Sequence, residues 1–127
     1  MIEPKKVLII DDDAHIRKVI EIKLEKAGYQ IVVAADGEEG LKLIETQKPD
    51  AVISDINMPK MDGKTLCLKT NPLKKEQPFL TIIISGRITL DDEAWVRNMT
   101  DTQFMEKPFS PSKLLDAINQ YFQGESG

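Results

Sequence analysis

The sequence predicts an α/β fold in which helices cover both faces of a five-stranded parallel sheet. Strand-like apolar runs alternate with helix-like segments five times, which is typical of such sheets. With 127 residues, 41% hydrophobic and 30% charged, the chain has the size and composition of one globular domain. Four apolar runs are followed by a reactive side chain, namely Asp11, Asp55, Ser85 and Lys107. Parallel strands bind ligands at their carboxyl edge, so these four residues are expected to converge.

The first half of the chain gives two strand-helix units and a third strand. Residues 6–10 form the first strand, and apolar residues at helical spacing predict a helix over 14–27 that stops at Gly28. Residues 30–35 form the second strand, after which Asp36 caps a helix with Glu39 three residues on. Pro49 closes that helix. The short apolar run 51–54 is the expected central strand.

The second half starts with a weaker pattern. Asn71-Pro72 and Pro78 interrupt the segment after Gly63, so we expect a short or broken third helix. Residues 80–84 form the fourth strand, 90–99 the fourth helix and 103–106 the fifth strand. Ser110-Pro111 supplies a cap and a first-turn proline for the last helix. That helix is predicted to end near Gln123, giving a domain over 1–123 and a short tail over 124–127. Its inward stripe comprises Leu114, Leu115, Ile118, Tyr121 and Phe122.

Composition excludes several classes of function. The net charge is −4 and no basic run occurs, which argues against direct binding of nucleic acid. No apolar run has membrane-spanning length, and the start of the chain lacks a charged-then-apolar leader, so we expect a cytoplasmic protein. The single Cys67 cannot form an internal disulfide and is expected to be a small buried residue.

Three acids follow the first strand directly. A nucleotide-binding fold would carry glycines there to cradle phosphate, whereas Asp11, Asp12 and Asp13 would repel it. If two of them met Asp55, a cation would be needed between the like charges, and hard oxygen ligands suit magnesium. Asp13 fits better as the cap of the first helix, while capping and a functional role stay open for Asp11 and Asp12. His15 is expected to be an exposed first-turn residue.

Four motifs in register resemble those of the receiver domains of two-component response regulators. They are Val7-Leu8-Ile9-Ile10-Asp11-Asp12-Asp13, Asp55-Ile56-Asn57-Met58-Pro59-Lys60-Met61-Asp62-Gly63, Ser85-Gly86 and Lys107-Pro108-Phe109. The likeness covers nearly the whole chain. It implies a flavodoxin-like, doubly wound (βα)5 fold with strand order 2-1-3-4-5.

The resemblance also implies a role for each acid and for the lysine. Asp55 is similar to the phosphoacceptor, Asp12 to a direct ligand of Mg2+ (or Mn2+), and Asp11 to a ligand that acts through water. The backbone carbonyl of Asn57 would complete the protein ligands together with Asp55. Lys107 resembles the lysine that pairs first with Asp55 and then with a phosphoryl oxygen, and its bond to Pro108 is expected to be cis.

The switch and the partners follow from the same resemblance. Ser85 is similar to the hydroxyl that turns toward the phosphoryl group, and Phe104 to a ring that moves in response, although a packed core ring is the simpler interpretation. Gly86 should leave room for the donor and for attacking water. In this family the pair at the positions of Asn57 and Arg87 influences the lifetime of the phosphate, and whether Arg87 shields the phosphate or faces solvent stays open. The implied partners are a histidine kinase or histidine phosphotransfer protein and a downstream target on the face of the fourth helix, fifth strand and fifth helix, with a phosphorylation-dependent homodimer as one option.

Two segments depart from the family's pattern. The third helix is interrupted, and Met99-Thr100-Asp101-Thr102 stands where a glycine-alanine turn is usual. The orientation of Trp95, toward the core or toward a partner, stays open. Such a domain is a signalling module that assists its own phosphorylation and dephosphorylation.

Three other classes of protein fit the sequence less well. A pseudo-receiver that binds partners without phosphorylation would have lost an acid or the lysine. An aspartyl-phosphate phosphatase would want threonine or valine where His15 stands. A flavin-binding protein is disfavoured by the acidic first loop.

Overall fold

The computed structural model describes residues 4–126 as one sheet with helices on both faces. The strands are β1 Lys6–Ile10, β2 Gln30–Ala34, β3 Ala51–Asp55, β4 Leu80–Ser85 and β5 Thr102–Glu106. The helices are α1 Ala14–Lys26, α2 Gly37–Gln47, α3 Gly63–Thr70, α4 Leu90–Arg97 and α5 Pro111–Ser126. The strands are all parallel and lie in the order β2-β1-β3-β4-β5, which confirms the predicted fold.

The core has two layers because neighbouring residues of a strand point to opposite faces. Val7 and Ile9 of β1 pack with residues of α1 and α5, whereas Leu8 and Ile10 pack with residues of α2 and α3. Every residue of β3 is buried, as expected for the central strand. The edge strands β2 and β5 are partly exposed. Within residues 4–126, no helix combines the length and the apolar character that crossing a membrane requires.

The predicted caps of the first two helices are confirmed. The Asp13 carboxylate accepts hydrogen bonds from the backbone N–H groups of His15 and Ile16, and the Asp36 carboxylate accepts one from Glu39. Each bond satisfies a donor that the first turn of a helix leaves unpaired. Gly28 has φ +97°, a left-handed conformation that ends α1 as predicted.

The third helical segment is broken, as the prolines predict. After α3, residues Asn71–Lys75 form a 3-10 helix with Pro72 near its start. Proline cannot donate the backbone hydrogen bond that would continue an α-helix. The 3-10 helix brings Lys74 into the interior, where only 4% of its surface is exposed.

Two predicted helix ends are wrong by two or three residues. The last helix was expected to end near Gln123, but α5 runs to Ser126, so residues 124–126 belong to the helix rather than to a tail. A single Gly124 costs a helix about 1 kcal/mol, which is too little to end it by itself. Gly127 lies outside the described residues. The fourth helix ends at Arg97 rather than at residue 99. The Asn98 N–H donates to the backbone carbonyls of Trp95 and Val96, and these short-range hydrogen bonds tighten the last turn.

Candidate functional site

The site is built where β1 and β3 end side by side. Ile10 of β1 pairs with Ser54 of β3, so the residues that follow each strand meet at the carboxyl edge of the sheet. Carboxylate oxygens of Asp11, Asp12 and Asp55 lie within 4.8 Å of one another. Asp11 and Asp55 are buried, whereas Asp12 is exposed. The structure thus brings together the acids that the sequence predicted to converge.

Asp11 is the acid that the fold isolates most from water. Burial raises the pKa of its carboxyl above the ordinary value, and the charges of Asp55 and Asp12 act in the same direction. A hydrogen bond from the Asp13 N–H to Asp11 Oδ1, 2.9 Å long, and the charge of Lys107 oppose the rise in pKa. The ionised cluster is therefore unfavourable by itself, and a cation among these carboxylates would relieve the repulsion.

Asp55 is 7% exposed and has a partner for each carboxylate oxygen. Lys107 Nζ donates to Asp55 Oδ2 at 3.0 Å, and the Asn57 N–H donates to Oδ1 at 3.3 Å. Lys107 is delivered by β5, whose extension is tied to β4 through a 2.7 Å hydrogen bond from the Lys107 N–H to the Ser85 carbonyl. The Lys107-Pro108 bond is cis, as the resemblance implies.

A divalent cation fits this donor set. Carboxylates supply hard oxygen ligands, and the exposure of Asp12 leaves a side open for water, which Mg2+ retains in most sites. The backbone carbonyl of Asn57 belongs to the loop that follows Asp55, beside the cluster. Asp13 is the cap of α1, which leaves Asp11 and Asp12 as the ligand candidates from this loop.

An open cleft of about 440 Å3 adjoins Asp55 between the loops that follow β3 and β4. Its lining residues are Ile56, Asn57, Ser85, Gly86, Arg87, Thr89 and Asp92. A Cβ atom at Gly86 would meet nothing within 4 Å, so this position leaves open space. A second hollow, of about 480 Å3, is lined by residues of α2, of the 3-10 helix and of the segments that precede β3 and β4, away from the acids.

Ser85 faces the loop after β4 in this conformation. Its hydroxyl donates a 2.8 Å hydrogen bond to the Arg87 carbonyl and accepts a 3.2 Å bond from the Arg87 N–H. Ser85 is 3% exposed. Both hydrogen bonds hold the residue within its own loop.

The aromatic residues beyond Ser85 form an edge-to-face pair. The ring of Phe104 is half-buried and lies 5.5 Å from that of Trp95, at an interplanar angle of 80°. Trp95 is 8% exposed and donates its indole N–H to the Asp92 carboxylate at 3.1 Å. The open question of its orientation is answered: Trp95 packs inward.

Two expectations for residues outside the site are confirmed, and one contact was missed. His15 is exposed on the first turn of α1, and Cys67 is buried. Arg17 was not singled out from the sequence, yet its guanidinium Nη1 donates a 2.6 Å hydrogen bond to the Asp11 carbonyl. The only signal was its position four residues after the cap Asp13, which places it over the loop.

Comparison with known proteins agrees with this geometry. A family model described as the response regulator receiver domain matches residues 7–119. Protein PilG of Pseudomonas aeruginosa is 36% identical over 91% of this chain and 86% of its own length. The alkaline phosphatase synthesis transcriptional regulatory protein PhoP of Bacillus subtilis is 34% identical over 87% of this chain and 45% of its own length.

The solved structures agree as well. A response regulator receiver domain protein (CheY-like) from Methanospirillum hungatei superposes with a TM-score of 0.86 at 31% identity, covering 98% of this chain and 99% of its own. The chain spans only 42–46% of the length of the transcriptional regulators that it matches in algae and in Bacillus subtilis.

Proposed function

Because the chain belongs to the response regulator receiver domain family, we propose that Asp55 is its phosphoacceptor, in a magnesium-dependent transfer from a histidine kinase or histidine phosphotransfer protein. The observation that carries the proposal is the position of the Asp55 carboxylate, buried beside Asp11 and Asp12 and 3.0 Å from Lys107 Nζ. An acceptor, acids that could hold a cation and a fixed positive charge are the parts that phosphoryl transfer to a carboxylate requires.

In the transfer, an Asp55 oxygen attacks phosphorus as the bond from phosphorus to the imidazole nitrogen of the donor breaks. The product is an acyl phosphate on Asp55. Asp11, Asp12, Asp55 and the Asn57 carbonyl would hold Mg2+, which supplies charge neutralisation for the entering phosphoryl group. Lys107 then pairs with a phosphoryl oxygen instead of the free carboxylate.

The response to phosphorylation begins at Ser85. Its hydroxyl leaves the Arg87 carbonyl and donates to the phosphoryl group, which carries about −1.5 to −2 charges at neutral pH. The loop before α4 then shifts, and the Phe104 and Trp95 rings adjust their packing. A target protein, or a second copy of the chain, recognises the altered surface of α4, β5 and α5.

Two features of the cleft next to Asp55 affect the rate of the reaction without taking part in bond making or bond breaking. Gly86 leaves the cleft open to the donor and to water. Arg87 and Asn57 line the same cleft and set how readily water reaches the acyl phosphate. The family acts in signalling with histidine kinases, so we also infer a cytoplasmic location, which cell fractionation would test.

Intact-mass measurement with acetyl phosphate and Mg2+ tests the proposal. We expect one added phosphoryl group on the wild type and none on Asp55→Ala or without Mg2+. Asp13→Asn is the matched control, since it removes a neighbouring charge but retains a capping side chain, and it should still be phosphorylated.

The absence of any adduct at short times, with acetyl phosphate and with a cognate kinase, would favour the pseudo-receiver alternative. An adduct on Asp11 rather than Asp55 would favour the phosphatase alternative.

A further inference from the structure

The loop of Asp11, Asp12 and Asp13, the acidic loop, is held by hydrogen bonds to the start of α1. The Asp13 N–H donates to Asp11 Oδ1 at 2.9 Å, and the Arg17 N–H donates to the Asp13 carbonyl at 3.0 Å. The Arg17 side chain adds a contact of another kind, from Nη1 to the Asp11 carbonyl at 2.6 Å. One residue of α1 thus bonds to both ends of the loop.

The direction of the Arg17 side chain is informative. Arg17 is half-buried, and among residues 4–126 no carboxylate forms an ion pair with it within 4.0 Å. A guanidinium placed beside three acids would be expected to pair with a carboxylate. Here it bonds to a backbone carbonyl instead, so the guanidinium does not occupy the carboxylates of Asp11 and Asp12.

We propose that Arg17 is a positioning residue for the cation site: it fixes the Asp11 peptide so that the carboxylates on both sides of that peptide point toward Asp55. The inference rests on the proposed function. Partners of ligand-bearing groups typically affect metal affinity by tenfold or more. Arg17 acts here through the backbone, at the Asp11 carbonyl, and does not bond to the carboxylates themselves.

Three variants distinguish an effect of the Arg17 hydrogen bond on the cation site from an effect of net charge. Arg17→Met keeps the aliphatic stem but removes the donor, and Arg17→Lys restores a cation that can reach a carbonyl. Lys18→Met removes the same charge from the next residue, whose exposed side chain pairs with Glu21 at 3.6 Å and does not touch the loop. Any general effect of net charge on cation binding appears equally in Arg17→Met and Lys18→Met.

The experiment is two-dimensional NMR on the full chain with two readouts. In metal-free protein, amide hydrogen exchange at Asp13 should be several-fold faster in Arg17→Met than in the wild type, and unchanged in Lys18→Met. In a Mg2+ titration without phosphodonor, Arg17→Met should bind roughly tenfold more weakly, with partial recovery in Arg17→Lys.

Equal Mg2+ affinity in Arg17→Met and the wild type would overturn the inference, and so would equal weakening in Arg17→Met and Lys18→Met. Failure of the proposed function looks different, because the wild type itself would then bind no Mg2+. In that case the exchange at Asp13 alone decides whether Arg17 holds the loop.

Discussion

The ammonium group of Lys74 donates a 2.5 Å hydrogen bond to the backbone carbonyl of Thr100. Two more bonds run to the Asp101 carbonyl at 3.3 Å and Thr102 Oγ1 at 3.1 Å. The Asn71 side chain accepts from the Thr100 N–H at 2.8 Å. The two segments that depart from the family's pattern are therefore in contact, and each supplies the hydrogen-bond partners of the other.

Lys74 should make stability depend on alkaline pH. Burial lowers the pKa of its ammonium group from 10.5 to about 8. The unfolded chain therefore holds this proton more tightly, and the Lys74 contribution to stability is lost as the pH falls through about 8. Between pH 8 and 10.5 the free energy of unfolding should rise in the wild type relative to Lys74→Met, by at most about 1.4 kcal/mol per pH unit. Urea unfolding of both proteins measures the difference.

The exposed neighbour provides the control for this experiment. Lys75→Met removes a charge from the same 3-10 helix, but this exposed side chain does not bond to residues 100–102. The difference in unfolding free energy between Lys75→Met and the wild type should therefore stay constant between pH 8 and 10.5. A pH-independent difference for Lys74→Met would mean that the ammonium group is not held in a desolvated state.

Gly37→Ala should destabilise the protein by about 1–3 kcal/mol. A Cβ atom at this position would overlap the carbonyl oxygen of Met61, which is backbone and cannot rotate away. The loop after β3 would have to move from the start of α2. Gly124→Ala, where a Cβ atom meets nothing within 4 Å, is the control: it should raise the chemical denaturation midpoint rather than lower it, because alanine favours a helix over glycine by up to about 1 kcal/mol. Equal midpoints for the two variants would contradict the close approach.

Asp11→Asn should stabilise the metal-free protein and weaken its binding of Mg2+. Asparagine keeps an oxygen that can accept from the Asp13 N–H but carries no charge in the cluster. The Asp11 contribution to stability is lost as the pH rises through its raised pKa, so the thermal midpoints of the variant and the wild type should diverge above pH 3.8. We expect a gap of a few degrees at pH 7 in EDTA.

Asp12→Asn is the comparison for that prediction, because Asp12 is exposed. It should lose Mg2+ affinity as well but gain less stability without metal. A lower thermal midpoint for Asp11→Asn in EDTA would show that the charge of Asp11 is compensated in the metal-free site.

Lys107→Met should slow phosphorylation of Asp55 by at least about tenfold, which corresponds to about 1.4 kcal/mol in the barrier. The variant removes the only ammonium group that bonds to Asp55 within the described chain, at 3.0 Å. Intact mass followed over time measures the rate. Lys113→Met, on the exposed face of α5, should react like the wild type. Equal rates for both variants would remove Lys107 from the mechanism.

Ser85→Ala should separate phosphorylation from the response. Trp95 is the only tryptophan, so its emission reports on the contact with Phe104. With acetyl phosphate and Mg2+ we expect emission to change in the wild type and in Ser112→Ala, an exposed hydroxyl deletion on α5. Ser85→Ala should gain the phosphoryl group with little change in emission. A full emission change in Ser85→Ala would place the switch elsewhere.

The sequence predicted those features that repeat along the chain or sit at strand ends. Four such residues stand at the ends of parallel strands: Asp11, Asp55, Ser85 and Lys107. Because the carboxyl ends of parallel strands lie at one edge of the sheet, this placement alone predicts that they meet. The caps Asp13 and Asp36 were likewise readable, because a capping bond joins residues two or three positions apart.

Contacts between distant segments were not predictable in this way. Lys74 sits in a lysine pair that looks like a solvated surface. Its burial depends on the turn 100–102, which follows α4 in the chain, and on the Phe79 ring, whose centroid lies 4.7 Å from Lys74 Nζ. The need for glycine at position 37 comes from Met61, which lies far along the chain. Arg17 bonds to a carbonyl, a group that every residue carries, so its place four residues after the cap Asp13 was the only signal of this contact.

The hydroxyl of Ser85 has one hydrogen atom to donate, and in this structure the Arg87 carbonyl accepts that hydrogen bond. In the mechanism that we propose, a phosphoryl group on Asp55 competes for that one hydrogen atom. When the phosphoryl group succeeds, the Arg87 carbonyl loses its donor and must turn to water or to a new neighbour, which obliges the loop to change shape. The resting and altered forms of the loop would then compete, because a hydroxyl donates one strong hydrogen bond at a time.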